Sequence, residues 1–188
     1  MPIEAELTAV LRDPDAVRAA LGARAEVERC TYSDTYYDWP DHRLTEGDYN
    51  LRVRTVTTGE STKTLLTFKE PRTGSRHAKP EHETEAGDAG VLRTIFHGLG
   101  LVERIAFRKH CENHRFTDRG HDLLATVAEL PDLAGQTFLE VETIVEAEHV
   151  AEALAVIRAV LHDLGITDDD LSTESYTRRV AALRRPGS

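Results

Sequence analysis

An antiparallel α+β domain built around a β-barrel is the fold class that this sequence predicts. Three observations predict it. Eight short segments read as strands, and only four stretches have helical spacing. No strand–helix–strand alternation and no glycine-rich dinucleotide turn runs through the series. Within several strand-like segments, charged residues recur at every second position, so both faces of the strand carry a pattern.

The elements follow in order. Residues 3–10 (IEAELTAV) place Glu4, Glu6 and Thr8 on one face and Ile3, Ala5 and Leu7 on the other. Asp13-Pro14-Asp15 caps a short helix over 14–21 that Gly22 closes. A second extended segment, 27–38, ends at Trp39-Pro40-Asp41. Segments 49–57 and 62–70 form a hairpin joined near Thr58-Gly59-Glu60. Residues 78–86 (AKPEHETEA) are extended, with Pro80 marking an edge or a bulge. A helix over 88–99 is spaced on Val91, Leu92, Ile95, Phe96 and Leu99 and ends at Gly98 and Gly100. Segments 102–116, 121–128 and 136–145 are strands, the third alternating Phe138, Glu140 and Glu142 against Leu139 and Val141. Glu148 to His162 is an amphipathic helix on Val150, Leu154, Ile157, Val160 and Leu161. A last helix runs from Ser172 to about Leu183, with Ser172 and Ser175 as rival caps. One domain over 1–183 and a short tail, 184–188, are expected.

Composition narrows the class. At 188 residues, with 40% hydrophobic and 30% charged residues, the chain suits one soluble globular domain. No apolar run approaches the roughly 20 residues that cross a bilayer. The start, Pro2-Ile3-Glu4-Ala5-Glu6, lacks the features of a secretion signal, and two cysteines, Cys30 and Cys111, make no disulfide framework. A cytoplasmic setting without membrane partners is expected. The net charge of -10 argues against a nucleic-acid partner. Yet several of the 23 basic residues alternate inside strands, which describes an acidic shell around a basic interior. A small anionic ligand fits that interior.

The charged pairs sharpen this reading. Glu4/Glu6, Glu83/Glu85 and Glu140/Glu142 each stand two apart on one strand, so each pair points the same way. Like charges so placed repel unless a cation sits between them. Hard divalent ions such as Mg²⁺ or Mn²⁺ take oxygen ligands from carboxylates, phosphate and water. The basic set is Arg52, Arg54, Lys69 and Lys109, with Arg108 and Arg115 as further members. Arginine forks match phosphate oxygens and lysine adds a point charge. If the strands close, both sets share one lumen.

Glu4-x-Glu6, Asp34-Thr35-Tyr36-Tyr37-Asp38, Leu51-Arg52-Val53-Arg54, Leu66-Thr67-Phe68-Lys69 and Phe138-Leu139-Glu140-Val141-Glu142 together resemble the CYTH superfamily. Glu174-Ser175-Tyr176 resembles the Ser-Tyr segment near the end of its class IV adenylyl cyclases. The resemblance spans nearly the whole chain. It implies an eight-stranded antiparallel triphosphate tunnel with flanking helices, and metal-dependent cleavage of triphosphate substrates. It further implies that Arg52, Arg54, Lys69 and Lys109 grip the triphosphate as catalytic residues. Glu4, Glu6, Glu140 and Glu142 would hold Mg²⁺ or Mn²⁺, and Glu83 and Glu85 would contribute to substrate binding. Cyclisation of ATP to cyclic AMP and pyrophosphate is the leading expectation. Hydrolysis of thiamine triphosphate, a nucleoside triphosphate or inorganic triphosphate is the alternative, and a non-catalytic or retuned phosphate-binding module the second. A homodimer is the oligomer left open.

The resemblance departs at three positions. Thr8 stands where the family has lysine, Cys111 where an arginine often follows, and Ala125 where an acidic residue is expected on the seventh strand. Other candidates have blander readings. His110 and His114 are four apart, which converges on a helix but not on a strand, so they and His77, His82 and His121 read as structural or surface residues. Cys111 has no activating base and reads as inert. Asp168-Asp169-Asp170 reads as a loop leading into a helix. Of Tyr36 and Tyr37, one belongs to the core and one points outward or into the lumen.

Overall fold

Alternation at period two forces a closed sheet to have two walls, and both are found. The computed structural model describes residues 2–72, 74–75 and 77–184, so the expected tail lies outside them from residue 185 onward. The strands are β1 (Ile3–Val10), β2 (Val27–Asp38), β3 (Asn50–Thr58), β4 (Ser61–Lys69), β5 (Ala78–Ala86), β6 (Val102–Asp118), β7 (His121–Glu129), β8 (Thr137–Val145) and β9 (Leu171–Ser172). They hydrogen-bond in the order β5-β4-β3-β2-β6-β7-β8-β1-β9 with antiparallel pairings. A further pairing of β1 with β5 closes the first eight strands into the expected barrel. Pro80 sits at that seam: residues 81–86 pair with β4, while 78–80 turn to pair with β1. A residue with no N–H to donate suits the point where a strand changes partners.

The outer wall carries the larger core. Ala5, Leu7 and Ala9 of β1, Ala125 and Val127 of β7, and Leu139 and Val141 of β8 face helix α4 (Val150–Asp163) through Ala153, Ile157, Val160 and Leu161. Three alanines in the wall let the helix approach closely. Leu21 of α1 (Pro14–Gly22) joins the same cluster, and Asp13 caps that helix by accepting from the Ala16 amide at 3.1 Å. Elsewhere on the same outer face, Phe96 of α3 (Ala89–Gly98) meets Tyr37 edge-on with ring centroids 5.0 Å apart, against Val53 of β3. Across one end of the barrel, α5 (Tyr176–Leu183) buries Val180 and sets Tyr176 against Phe138 at 5.0 Å.

Two features exceed the sequence reading. A short helix, α2 (Arg43–Glu46), follows the Trp39-Pro40-Asp41 break. The Asp38 carboxylate organises it, accepting from the Leu44 and Thr45 amides at 3.0 Å and from the Thr45 hydroxyl at 2.8 Å. The strand β9 is also new. Because Leu171 and Ser172 pair with Ala9 and Thr8 beyond the reach of β5, α5 starts at Tyr176, and Ser175 is its cap. Asp168–Asp170 forms a 3₁₀ turn boxed by Thr167 and Asp170.

Candidate active site in the barrel lumen

The inner wall is charged. Register sets which charges meet. On one side Arg52 of β3 stands opposite Thr67 of β4, which stands opposite Glu83 of β5. Arg52 Nη2 donates to Thr67 Oγ1 at 3.1 Å, and that hydroxyl donates onward to Glu83 at 2.8 Å. The guanidinium lies 3.6 Å from Glu83, and its Nε is buried with no hydrogen-bond partner. An orphaned buried donor of this kind awaits an acceptor. One step along, Lys69 is held between Glu4 and Glu81, the latter at 2.7 Å. Burial disfavours the Lys69 charge, but the two carboxylates outweigh it and hold its pKa above the ordinary lysine value.

Arg54 and Lys109 are tied more firmly. Arg54 donates through Nε and Nη2 to the buried Asp34 at 2.6 and 2.8 Å, a bidentate fork, with its guanidinium 4.2 Å above the Tyr32 ring. Burial alone would raise the Asp34 pKa, yet Arg54 holds it well below the usual carboxylate range. Lys109 donates to both oxygens of Glu140 at 3.2 and 3.0 Å and lies 4.8 Å from the Tyr176 ring centroid.

Three carboxylates converge on the remaining side. Oxygens of Glu4, Glu6 and Glu142 lie within 4.8 Å of one another. Glu6 and Glu142 are register partners on β1 and β8, so like charges stand directly opposed. Burial first, then Glu140 and Glu4, push the Glu6 pKa up to about 7. Burial, Glu4 and Glu6 push Glu142 well above its ordinary value. Thr8 offers Glu6 a hydrogen bond at 2.9 Å, a neutral donor where a cation is needed. This donor set, all carboxylate and short of positive charge, fits a hard divalent ion. It is the only such group of metal-ligating side chains among the described residues. The histidines do not converge: His110 lies beside Thr31, His82 pairs with Glu70, and buried His114 faces the Ala25 carbonyl.

Several expected residues land elsewhere. Arg108 is exposed on the outer wall because Phe107, Lys109 and Cys111 take the inward phase of β6. Arg115 has the inward phase but sits at the barrel mouth, where it and Glu142 line a crevice of about 390 Å³. Glu85 is exposed at the open end of β5, outside the carboxylate group. Glu140 is engaged by Lys109 and stands apart from that group. Ala125 belongs to the outer core, so the inward position of β7 there is Thr126, which donates to Asn113 at 2.9 Å. Tyr37 is the core residue of its pair and Tyr36 stacks on Phe107 at 5.9 Å. Two residues had no role assigned from the sequence: Glu81, which completes the Glu81-x-Glu83-x-Glu85 alternation, and Asp34, quoted only within a motif, which pins Arg54.

The match that decides the family is to the CYTH domain, over residues 2–176. The chain belongs to the CYTH family. CYTH enzymes include adenylyl cyclase-like and triphosphatase members, and the family is in general metal-dependent. Solved structures agree on the tunnel. A protein from Pyrococcus horikoshii superposes with a TM-score of 0.81 at 23% identity, covering 96% of this chain and 99% of that one. A candidate adenylate cyclase from Vibrio parahaemolyticus gives 0.80 at 17% identity, covering 96% and 98%. A candidate adenylyl cyclase from Hippeastrum, described as having a dominant triphosphatase activity, gives 0.64 at 20% identity over 97% and 96%. A search of curated proteins finds no match. No helix of the described residues is long and apolar enough to cross a membrane.

Proposed function

We propose that this CYTH protein is a divalent-metal-dependent enzyme that cleaves a triphosphate ester inside its tunnel. The observation that carries the reading is the Glu4–Glu6–Glu142 convergence beside a row of buried cations. Arg52, Lys69 and Lys109 would exchange their carboxylate partners for phosphate oxygens, the Arg52 Nε gaining the acceptor it lacks. Arg54, anchored by Asp34, would position rather than move. A bound Mg²⁺ or Mn²⁺ ion, held by Glu4, Glu6 and Glu142, would supply neutralisation of phosphate charge.

Cyclisation of ATP is the first reading. The ribose 3′-hydroxyl would attack the α-phosphorus and pyrophosphate would leave. Half-buried Tyr36 and Tyr176 stand near Phe107 and Lys109, and the buried Tyr176 hydroxyl has no hydrogen-bond partner, which suits an aromatic base with ring heteroatoms. Hydrolysis, with water attacking the terminal phosphorus, is the second reading, favoured by the activity described for the Hippeastrum relative. The test is incubation with Mg²⁺ or Mn²⁺ and ATP, GTP, thiamine triphosphate or inorganic triphosphate, with products identified by mass spectrometry. Cyclic AMP and pyrophosphate support the first reading, and orthophosphate alone the second. Turnover unchanged in the Glu4→Ala/Glu6→Ala double variant would refute the metal site.

A further inference from the structure

The two cysteines, 81 positions apart, are register partners. Cys30 of β2 stands directly opposite Cys111 of β6. Directly opposed residues of an antiparallel ladder have Cα atoms about 4.5–5.5 Å apart and side chains on one face. A disulfide accepts Cα separations of about 4.4–6.8 Å, so the backbone already meets its requirement. Both thiols are free and buried, sharing a cluster with Tyr32, Val56 and Ala128 on the inner wall. No other cysteine exists in the chain to compete for either partner.

We propose that Cys30 and Cys111 are a redox modification site, closing a reversible disulfide across the β2–β6 ladder when the protein meets a peroxide. The surroundings assign the roles. The facing Cys111 thiol draws the Cys30 pKa down to about 7 against the opposing effect of burial, while the facing Cys30 and burial push Cys111 up. The Asn113 amide adds a donor to Cys30 Sγ at 3.4 Å. Cys30 is thus the thiolate that attacks and Cys111 the thiol that resolves. In the first step the Cys30 sulfur takes one peroxide oxygen, giving a sulfenic acid and releasing the other oxygen as water. In the second, the Cys111 sulfur attacks the sulfenic sulfur and the second oxygen leaves as water. Two thiol hydrogens and two electrons pass to the peroxide, and one S–S bond forms. A crevice of about 380 Å³ lined by Cys30, Thr31, His110 and Cys111, among others, reaches this part of the ladder.

The position matters to the tunnel. Cys111 is two residues from Lys109 on the same strand face, and Cys30 two from Tyr32, the ring beneath Arg54. The site does not depend on which reaction the tunnel performs, and its test reads thiols rather than turnover. The folded full-length protein is treated with hydrogen peroxide, quenched, then alkylated under denaturing conditions and mapped by peptide mass spectrometry. Alkylatable thiols should fall from two per chain to none, with a linked Cys30–Cys111 peptide that dithiothreitol dissolves. In Cys111→Ser, Cys30 should accumulate a sulfenic acid that dimedone traps; in Cys30→Ser, Cys111 should stay alkylatable. Two thiols surviving in the wild-type chain would overturn the proposal. So would their loss only through sulfinic acids or bridges between chains.

Discussion

Replacing Glu6 with glutamine should make the metal-free protein more stable at alkaline pH, an unusual result for a half-buried lumen residue. Glutamine keeps the shape and can still accept from Thr8, but it cannot ionise against Glu142 and Glu4. The Glu6 pKa is raised from 4.5 to about 7 in the folded chain. For an acid raised on folding, the stabilisation belongs to the protonated form. It is fully present below the unfolded value and lost as pH rises through the folded one. At pH 8 the wild-type chain therefore carries a penalty on the order of 3 kcal/mol relative to glutamine, against about 1 kcal/mol at pH 5. For a domain of this size, 3 kcal/mol corresponds to roughly 6–12 °C in Tm. Calorimetry or thermal fluorescence in EDTA at the two pH values reads the difference. Mg²⁺ at about 100 times its Kd should restore about 2.7 kcal/mol to the wild type and much less to Glu6→Gln. Equal midpoints for the two proteins at pH 8 without metal would refute the argument that uncompensated carboxylate repulsion is built into the lumen.

Two further contrasts separate structural pairs from substrate contacts. Asp34→Asn leaves the Arg54 guanidinium buried without its partner and should cost about 3–5 kcal/mol in urea denaturation. Arg115→Ala, at the exposed mouth, should change stability by less than about 0.5 kcal/mol while raising the KM for a triphosphate about tenfold; the reverse ranking would mean that their roles are exchanged. A double-mutant cycle on Lys109→Met and Glu140→Gln should be strongly non-additive, the pair together costing far less than the sum of single losses, and simple additivity would show that the 3.0 Å contact carries no coupling.

Much of the barrel was legible because its signal is local. Alternation within single strands placed Glu4, Glu6, Arg52, Lys69, Lys109 and Glu142 on one wall, and the helical spacing of Ile157, Val160 and Leu161 placed α4 against the other. What failed is non-local or a matter of phase. Arg108 and Ala125 sit one residue away from the inward phase, and a shift of one flips a side chain through the wall. The separation of Glu140 from the carboxylate group and the meeting of Cys30 with Cys111 depend on cross-strand register, which no single strand encodes. Glu81 was readable from the alternation of β5. The helix α2 was not, because four residues hold no periodicity and the Asp38 carboxylate, from outside the helix, holds its Leu44 and Thr45 amides.

The pairing inside the lumen explains how so charged an interior can fold before any ligand arrives. Arg52, Arg54, Lys69 and Lys109 each have a carboxylate partner, so the largest desolvation penalties are compensated within the barrel. On the proposed function, the same penalties would already be met when a polyphosphate enters, its oxygens replacing one set of anions with another around cations that the strands hold in place. The carboxylates so displaced, Glu4 above all, would be released beside Glu6 and Glu142, where negative charge is already in excess. On that proposal, anion and divalent cation would therefore favour each other's entry: phosphate would free metal ligands, and metal would neutralise the carboxylates so freed. By reciprocity of linkage, a metal ion that tightens triphosphate binding must be tightened by the triphosphate to the same factor. Thr8, a neutral donor within this wall, adds no positive charge there, so above the raised Glu6 pKa that coupling would balance what protonation no longer does.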